Sequence, residues 1–269
     1  MKSLINQVSK KLKFLVKKKN LIFTDSCDEA LLISTKHLLD KSKNKIIVTQ
    51  DTGGWLSYPK IAKKLEVPII YIKTNKGKIV LSELKKYKEC ILIMHSLPGY
   101  CFDENMKSIQ KICKKNNIKL INDACGSIGT ESAKIGDIIC CSFGKWKPLS
   151  AGGGGFFASN NEFDKEISEK SSEKSIQNDY IKINAAIERL QERVGAWKKI
   201  SSTVKKEKKE VVINKGNQGI NVLLKFKNDD EKEKLINFCQ DKNLEYTICP
   251  RFIRSNEKAV CVEIKKLDL

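Results

Sequence analysis

Between Asp123 and Lys147 the chain gathers the side chains most able to do chemistry. An apolar run, Leu120-Ile121-Asn122, ends at Asp123. A second, Ile138 to Cys141, ends at Ser142, and Lys147 and the glycines Gly152 to Gly155 follow. The carboxylate can hold a protonated ring nitrogen, the hydroxyl can bond a phosphate, and the amine can form an imine with an aldehyde. Those three groups suit pyridoxal phosphate. Lys147 differs from the other lysines in context, with a strand and Ser142 before it and a glycine run after it. Lys145 is the fallback. A lysine working this way must be partly desolvated to be a competent amine.

The elements that position these residues follow from periodicity. Residues 1–20 form an amphipathic helix, with Leu4, Val8, Leu12, Leu15 and Val16 at helical spacing. Strands are expected at 21–23, 45–49, 67–72, 90–94, 118–121, 137–143 and 155–159. Helical stretches are expected at 29–39, 58–65, 82–87 and 103–116. Strands alternating with helices predict a three-layer α/β domain with a mostly parallel sheet, in which ligands bind beyond the carboxyl ends of the strands. Ser26, Asp51, His95, Asp123 and Lys147 each follow a strand. Residues 21–160 thus form a large cofactor-binding domain. Residues 161–200 form a connecting helix, whose stripe of Ile176, Tyr180, Ile183, Ile187, Leu190 and Val194 packs on that domain. Residues 201–269 form a small α+β domain with strands at 220–226, 244–248 and 259–264 and a helix at 229–242.

Composition bounds the rest. With 41% apolar and 31% charged residues the chain is globular rather than disordered. No apolar run approaches the roughly 18 residues needed to span a membrane. The N-terminus has no continuous apolar core of a secretory signal, so the expectation is a cytoplasmic protein. The net charge of +19 admits a polyanion partner such as tRNA. Only four of the 51 basic residues are Arg, however, and Lys is spread along nearly every helix, which reads as compositional bias. The ten Cys have no metal-ligand spacing, so no metal is expected, and most are small buried hydrophobes. Cys27, Cys101 and Cys125 fall near the presumed site. Arg251 and Arg254 are candidates to grip a substrate carboxylate.

These residues resemble the fold-type I pyridoxal phosphate enzymes, the aspartate aminotransferase superfamily, and within it the DegT/StrS sugar aminotransferases. Asp25-Ser26-Cys27-Asp28 is similar to the family's Asn-Ser-Gly-Thr-like phosphate loop. Met94-His95-Ser96-Leu97-Pro98-Gly99 looks like its Val-His-Leu-Tyr-Gly-like strand end. Asn122-Asp123-Ala124-Cys125-Gly126 is similar to Glu-Asp-Ala-Ala-Gln. Ser142-Phe143-Gly144-Lys145-Trp146-Lys147-Pro148 is similar to Ser-Phe-His-Pro-Thr-Lys-Asn, with Gly152 to Gly155 after it. The resemblance covers residues 20–160.

It implies that Asp123 holds the pyridinium N–H and that Lys147 carries the cofactor through an imine. It also implies that Ser142, Ser26 and the amides of Cys27 and Asp28 hold the phosphate. Trp55 would cover the ring and His95 would sit near it. Gly126 stands where the family has Gln, so the ring-hydroxyl contact is expected from Ser127. Asp28 replaces the phosphate-loop Thr, and Gly153 replaces a Glu. The expected activity is aminotransferase-like, on an amino acid or amino sugar, in a homodimer. The alternatives are a lyase or desulfurase, with Cys101 or Cys125 as sulfur acceptor, and a non-catalytic or tRNA-linked basic protein on the same fold.

Overall fold

The computed structural model describes residues 2–167 and 179–268. Helix α1 (Lys2–Val16) buries Val8, Leu12 and Val16, one residue per turn, and turns its lysines outward. Strand β1 (Asn20–Thr24) leads to α2 (Cys27–Asp40), then β2 (Ile47–Gln50), α3 (Ser57–Lys64) and β3 (Ile69–Ile72). A small hairpin that the sequence pattern did not reveal, β4 (Thr74–Asn75) and β5 (Lys78–Ile79), precedes α4 (Leu81–Leu84). Then come β6 (Ile91–His95), α5 (Met106–Lys115), β7 (Lys119–Asp123), β8 (Ile138–Ser142) and β9 (Gly155–Ser159).

Seven strands form one sheet in the order β1-β9-β8-β7-β6-β2-β3. The central pairs are parallel, and β9 runs antiparallel to both its neighbours. Alternate side chains go to opposite layers. Ile93, Ile121 and Cys140 pack toward α2 and α3, whereas Leu92, Leu120 and Ile139 pack toward α5, α1 and the helix after β9. With both faces covered, β6 and β9 are buried at every residue, which is why they read as unbroken apolar runs.

The connecting region departs from the single helix expected over 161–200. Helix α6 (Tyr180–Glu188) and helix α7 (Leu190–Glu207) meet at Arg189. Within the apolar stripe, Tyr180, Ile183, Leu190 and Val194 are buried in the large-domain core, while Ile176 lies outside the described residues. Helix α7 also runs past residue 200, because Val204 continues its apolar face and is buried with Trp197 in the second core. That core belongs to the small domain: β10 (Val222–Lys225), α8 (Asp229–Asp241), β11 (Tyr246–Arg251) and β12 (Ser255–Val262), in an antiparallel sheet ordered β10-β12-β11. Hydrogen bonds tie the two domains. The Gly53 amide and the Thr52 hydroxyl donate to the Phe252 carbonyl, and the Ile220 and Asn221 amides donate to that of Tyr100. Among the described residues no helix is long and apolar enough to cross a membrane.

Candidate active site

The carboxyl ends of β6, β7 and β8 and the start of α2 open into a cavity of about 580 Å³, roofed by the small domain. Asp123 ends β7, in register with His95 on β6 and Cys140 on β8. Its Oδ2 accepts the Tyr58 hydroxyl at 2.8 Å and its Oδ1 accepts the Cys125 amide at 3.1 Å. It is 2% exposed, and among the described residues no cation forms an ion pair with it. Burial pushes its carboxyl well above the usual range, and the Cys125 beside it adds to that. Cys27 and Cys125 lie against it with their sulfurs 3.3 Å apart.

Ser26 is the N-cap of α2. Its Oγ accepts the Glu29 amide at 3.1 Å, which leaves its own proton free to donate. The amides of Cys27 and Asp28 begin the helix, where no preceding turn can accept from them and the dipole end is positive. Asp28 does not aim a loose carboxylate at this spot. Its Oδ1 accepts the Trp55 indole N–H at 2.8 Å and its Oδ2 accepts the Ser57 hydroxyl at 2.7 Å. The residue that replaces the phosphate-loop Thr thus fixes Trp55. Ser142 lines the cavity, and its Oγ accepts the Gly144 amide at 3.0 Å.

Lys147 lines the cavity and donates its Nζ to the Tyr100 hydroxyl at 2.7 Å. Trp55 and Tyr100 flank the amine, each ring centroid 5.3 Å away. Burial alone would lower the Lys147 pKa, but Tyr100, Cys125 and Asp123 more than offset it and hold it above the ordinary lysine range. His95 is buried, accepts the Leu97 amide on Nδ1 at 3.1 Å and packs edge-on to Tyr100. Burial drops its pKa to about 3, so it stays neutral.

Sequence reasoning missed Tyr58 and Tyr100. For Tyr100 there was a signal in Gly126. A Cβ at Gly126 would lie 2.8 Å from the Tyr100 ring and 3.0 Å from His95. The space a glutamine side chain would need is therefore filled by Tyr100. Ser127, expected to supply the ring-hydroxyl contact, is turned away. Its hydroxyl meets Ser96 at 2.6 Å, and it does not line the cavity. Cys101 is also remote, since its sulfur packs 3.9 Å from that of Cys261 behind the Tyr100 turn. Asp51 caps Thr74.

The roof comes from the small domain. Arg251 reaches the cavity exposed. Arg254 lines it too but is committed: Nε and Nη2 bridge the two oxygens of Glu263 at 2.5 and 3.0 Å, and Nη1 donates to the Ile253 carbonyl. Its guanidinium, expected as a free grip for a substrate carboxylate, is thus already engaged within the small domain. Lys265 and Lys266, which nothing in the sequence singled out among the 51 basic residues, complete the roof.

The donor set fits a phosphorylated, ring-nitrogen cofactor. It pairs a buried carboxylate, with no cation bound to it among the described residues, with a nearby amine and a helix N-terminus beside two serines. The fold is that of a pyridoxal phosphate enzyme, and the donor set is compatible with it. Residues 3–196, more than half the chain, match the model of the DegT/DnrJ/EryC1/StrS aminotransferase family, and the chain belongs to that family. Residues 188–269 match the MJ1341 family C-terminal domain.

Solved structures share the fold at low identity. NtdA from Bacillus subtilis with bound cofactor PMP is 16% identical, with a TM-score of 0.70, covering 96% of this chain and 72% of that one. The 3-amino-5-hydroxybenzoic acid synthase is 11% identical, with a TM-score of 0.74, covering 98% and 85%. A DegT DnrJ EryC1 StrS aminotransferase from Brucella abortus is 14% identical, with a TM-score of 0.70, covering 97% and 84%. The family identifies the cofactor as pyridoxal 5'-phosphate and the chain as an aminotransferase-like enzyme.

Proposed function

We propose that the protein is a transaminase for a small amino substrate, an amino acid or amino sugar, with Lys147 as its catalytic amine. The observation that carries this reading is the joint opening of Lys147 and the unpaired, buried Asp123 into one cavity. Asp123 would hold the ring N–H, aimed by Tyr58 and the Cys125 amide. The Ser26 hydroxyl, the Cys27 and Asp28 amides and Ser142 would hold the phosphate. Trp55, fixed by Asp28, would cover a ring face. Tyr100 would take the place of the family's glutamine toward the ring hydroxyl, and it orients Lys147. His95, neutral, would pack beside the ring.

The bound cofactor supplies an electron sink for the carbon that bears the substrate amine. Lys147 Nζ would take the proton from that carbon and deliver it on the cofactor side instead of back, which is what leaves the amine transferred. A homodimer belongs to the same reading. Phe14 on α1 and Ile181 on α6, two helices packed together, are 82% and 74% exposed, which a second copy would cover.

The test is to mix purified protein with pyridoxal phosphate and then with a panel of amino acids, following absorbance. Cofactor uptake, a spectral change with a subset of the amino acids, and loss of both in Lys147→Ala are expected. A protein that takes up no cofactor contradicts the reading.

A further inference from the structure

Lys265 is only 6% exposed, yet it lines the cavity from the turn after β12. The cations near it are committed elsewhere. Arg254 bridges Glu263, Lys266 pairs with Glu245 at 2.5 Å, and Lys147 donates to Tyr100. The adjacent Glu263 is fully used, accepting from Arg254, Asn221 and Thr247. Among the described residues no acceptor lies within hydrogen-bond or ion-pair reach of Lys265 Nζ. Its nearest recorded partners are the Tyr100 ring at 4.7 Å and the Trp146 ring at 5.7 Å.

A buried ammonium without a counter-ion is costly, and aromatic faces offset only part of that cost. Lys147 lies over the same Tyr100 ring, 5.3 Å from its centroid. The two amines therefore lie over one ring, each within 5.3 Å of its centroid, and face the same part of the cavity. One uncompensated ammonium also matches the single charge of a carboxylate better than a phosphate dianion.

We propose that Lys265 is the group that binds the carboxylate of the amino substrate, an inference that rests on the transaminase reading of the cavity. Arg254, one of the two arginines the sequence offered for this task, is instead a positioning residue that holds Glu263 through both of its oxygens. The groups facing Lys265 are Arg254, Glu263, Lys147 and Lys266, with Tyr100 beneath it. Burial first, then Arg254, lower its pKa to about 7, while Glu263 raises it. Lys265 is therefore charged below that pH and loses its grip above it.

The experiment titrates the protein, before and after incubation with pyridoxal phosphate, with propionate, a carboxylate without an amine, between pH 6 and pH 8, following the propionate methyl resonance. Affinity in the wild type is expected to fall about tenfold across that span as Lys265 deprotonates. Lys265→Met should bind weakly at both pH values, and Lys265→Arg should bind well at both. Melting curves and cofactor absorbance accompany each variant. Propionate affinity and pH profile unchanged in Lys265→Met would overturn the inference, as would inorganic phosphate binding more tightly than propionate through Lys265. Because propionate binding is read separately from cofactor uptake, a protein that binds propionate through Lys265 but takes up no pyridoxal phosphate would instead overturn the transaminase reading.

Discussion

The floor and the roof of the cavity solve the problem of buried charge in opposite ways. On the floor, Asp123 is buried with neutral partners only, a tyrosine hydroxyl and a backbone amide. On the roof, Arg254 and Lys266 are neutralised within the protein, and of the buried roof cations Lys265 is the one left without a partner among the described residues. A floor carboxylate kept without its cation is a place held for a ligand cation. Roof cations kept paired are architecture, and the exception marks where a ligand anion belongs. Substitutions on the floor should therefore disturb the cofactor with little effect on folding, and substitutions in the paired roof should do the reverse.

The largest effect expected on the floor is that of Lys147→Ala. Turnover should fall by about 10³-fold, the scale of a positioned acid–base group, with melting temperature little changed. On the roof, Arg254→Met leaves Glu263 buried and unpaired, which should cost about 3–5 kcal/mol in unfolding titrations. The double variant Arg254→Met, Glu263→Leu should recover most of that loss, which separates a broken pair from a lost functional group.

Asp123→Asn should cut turnover by about 10²-fold, as loss of one preorganised electrostatic contact does. It also tests the floor by pH. Because the cofactor-free protein raises the Asp123 pKa above its unfolded value, that carboxyl favours folding at low pH. The contribution is lost as pH rises through the raised value. Melting of the cofactor-free wild type should decline over that rise, and melting of Asp123→Asn should decline less.

The smallest effect should come from Tyr100→Phe. Tyr100 helps hold Lys147 as an ammonium, and imine formation needs the neutral amine, so cofactor uptake should quicken as pH rises. Removing the hydroxyl should shift that profile to lower pH. A variant with the wild-type profile would mean that Tyr100 only fills space.

The floor was largely legible in the sequence, because strand ends announce themselves. Asp123, Ser142 and His95 each terminate a buried apolar run, and Ser26 sits where a cap must begin α2. The direction in which a side chain turns was not legible. Asp28 clasps Trp55 and Ser127 faces Ser96 through contacts between residues distant in the chain, and Arg254 clasps Glu263 nine residues on, just past β12. The break between α6 and α7 was also hidden, since the apolar stripe passes through it unaltered. Lys265 was invisible for a different reason. Among so many lysines only burial tells one from another, and burial is set by the docking of the small domain.

The central claim is that Lys147 carries the cofactor, and it is tested most directly by chemical trapping. The protein loaded with pyridoxal phosphate is treated with borohydride, which fixes the cofactor to the lysine that holds it, and is then digested and mapped. The label is expected on the peptide containing Lys147, and on Lys147 itself by fragmentation. Label confined to Lys145 or Lys265, or spread evenly over surface lysines, would contradict the account.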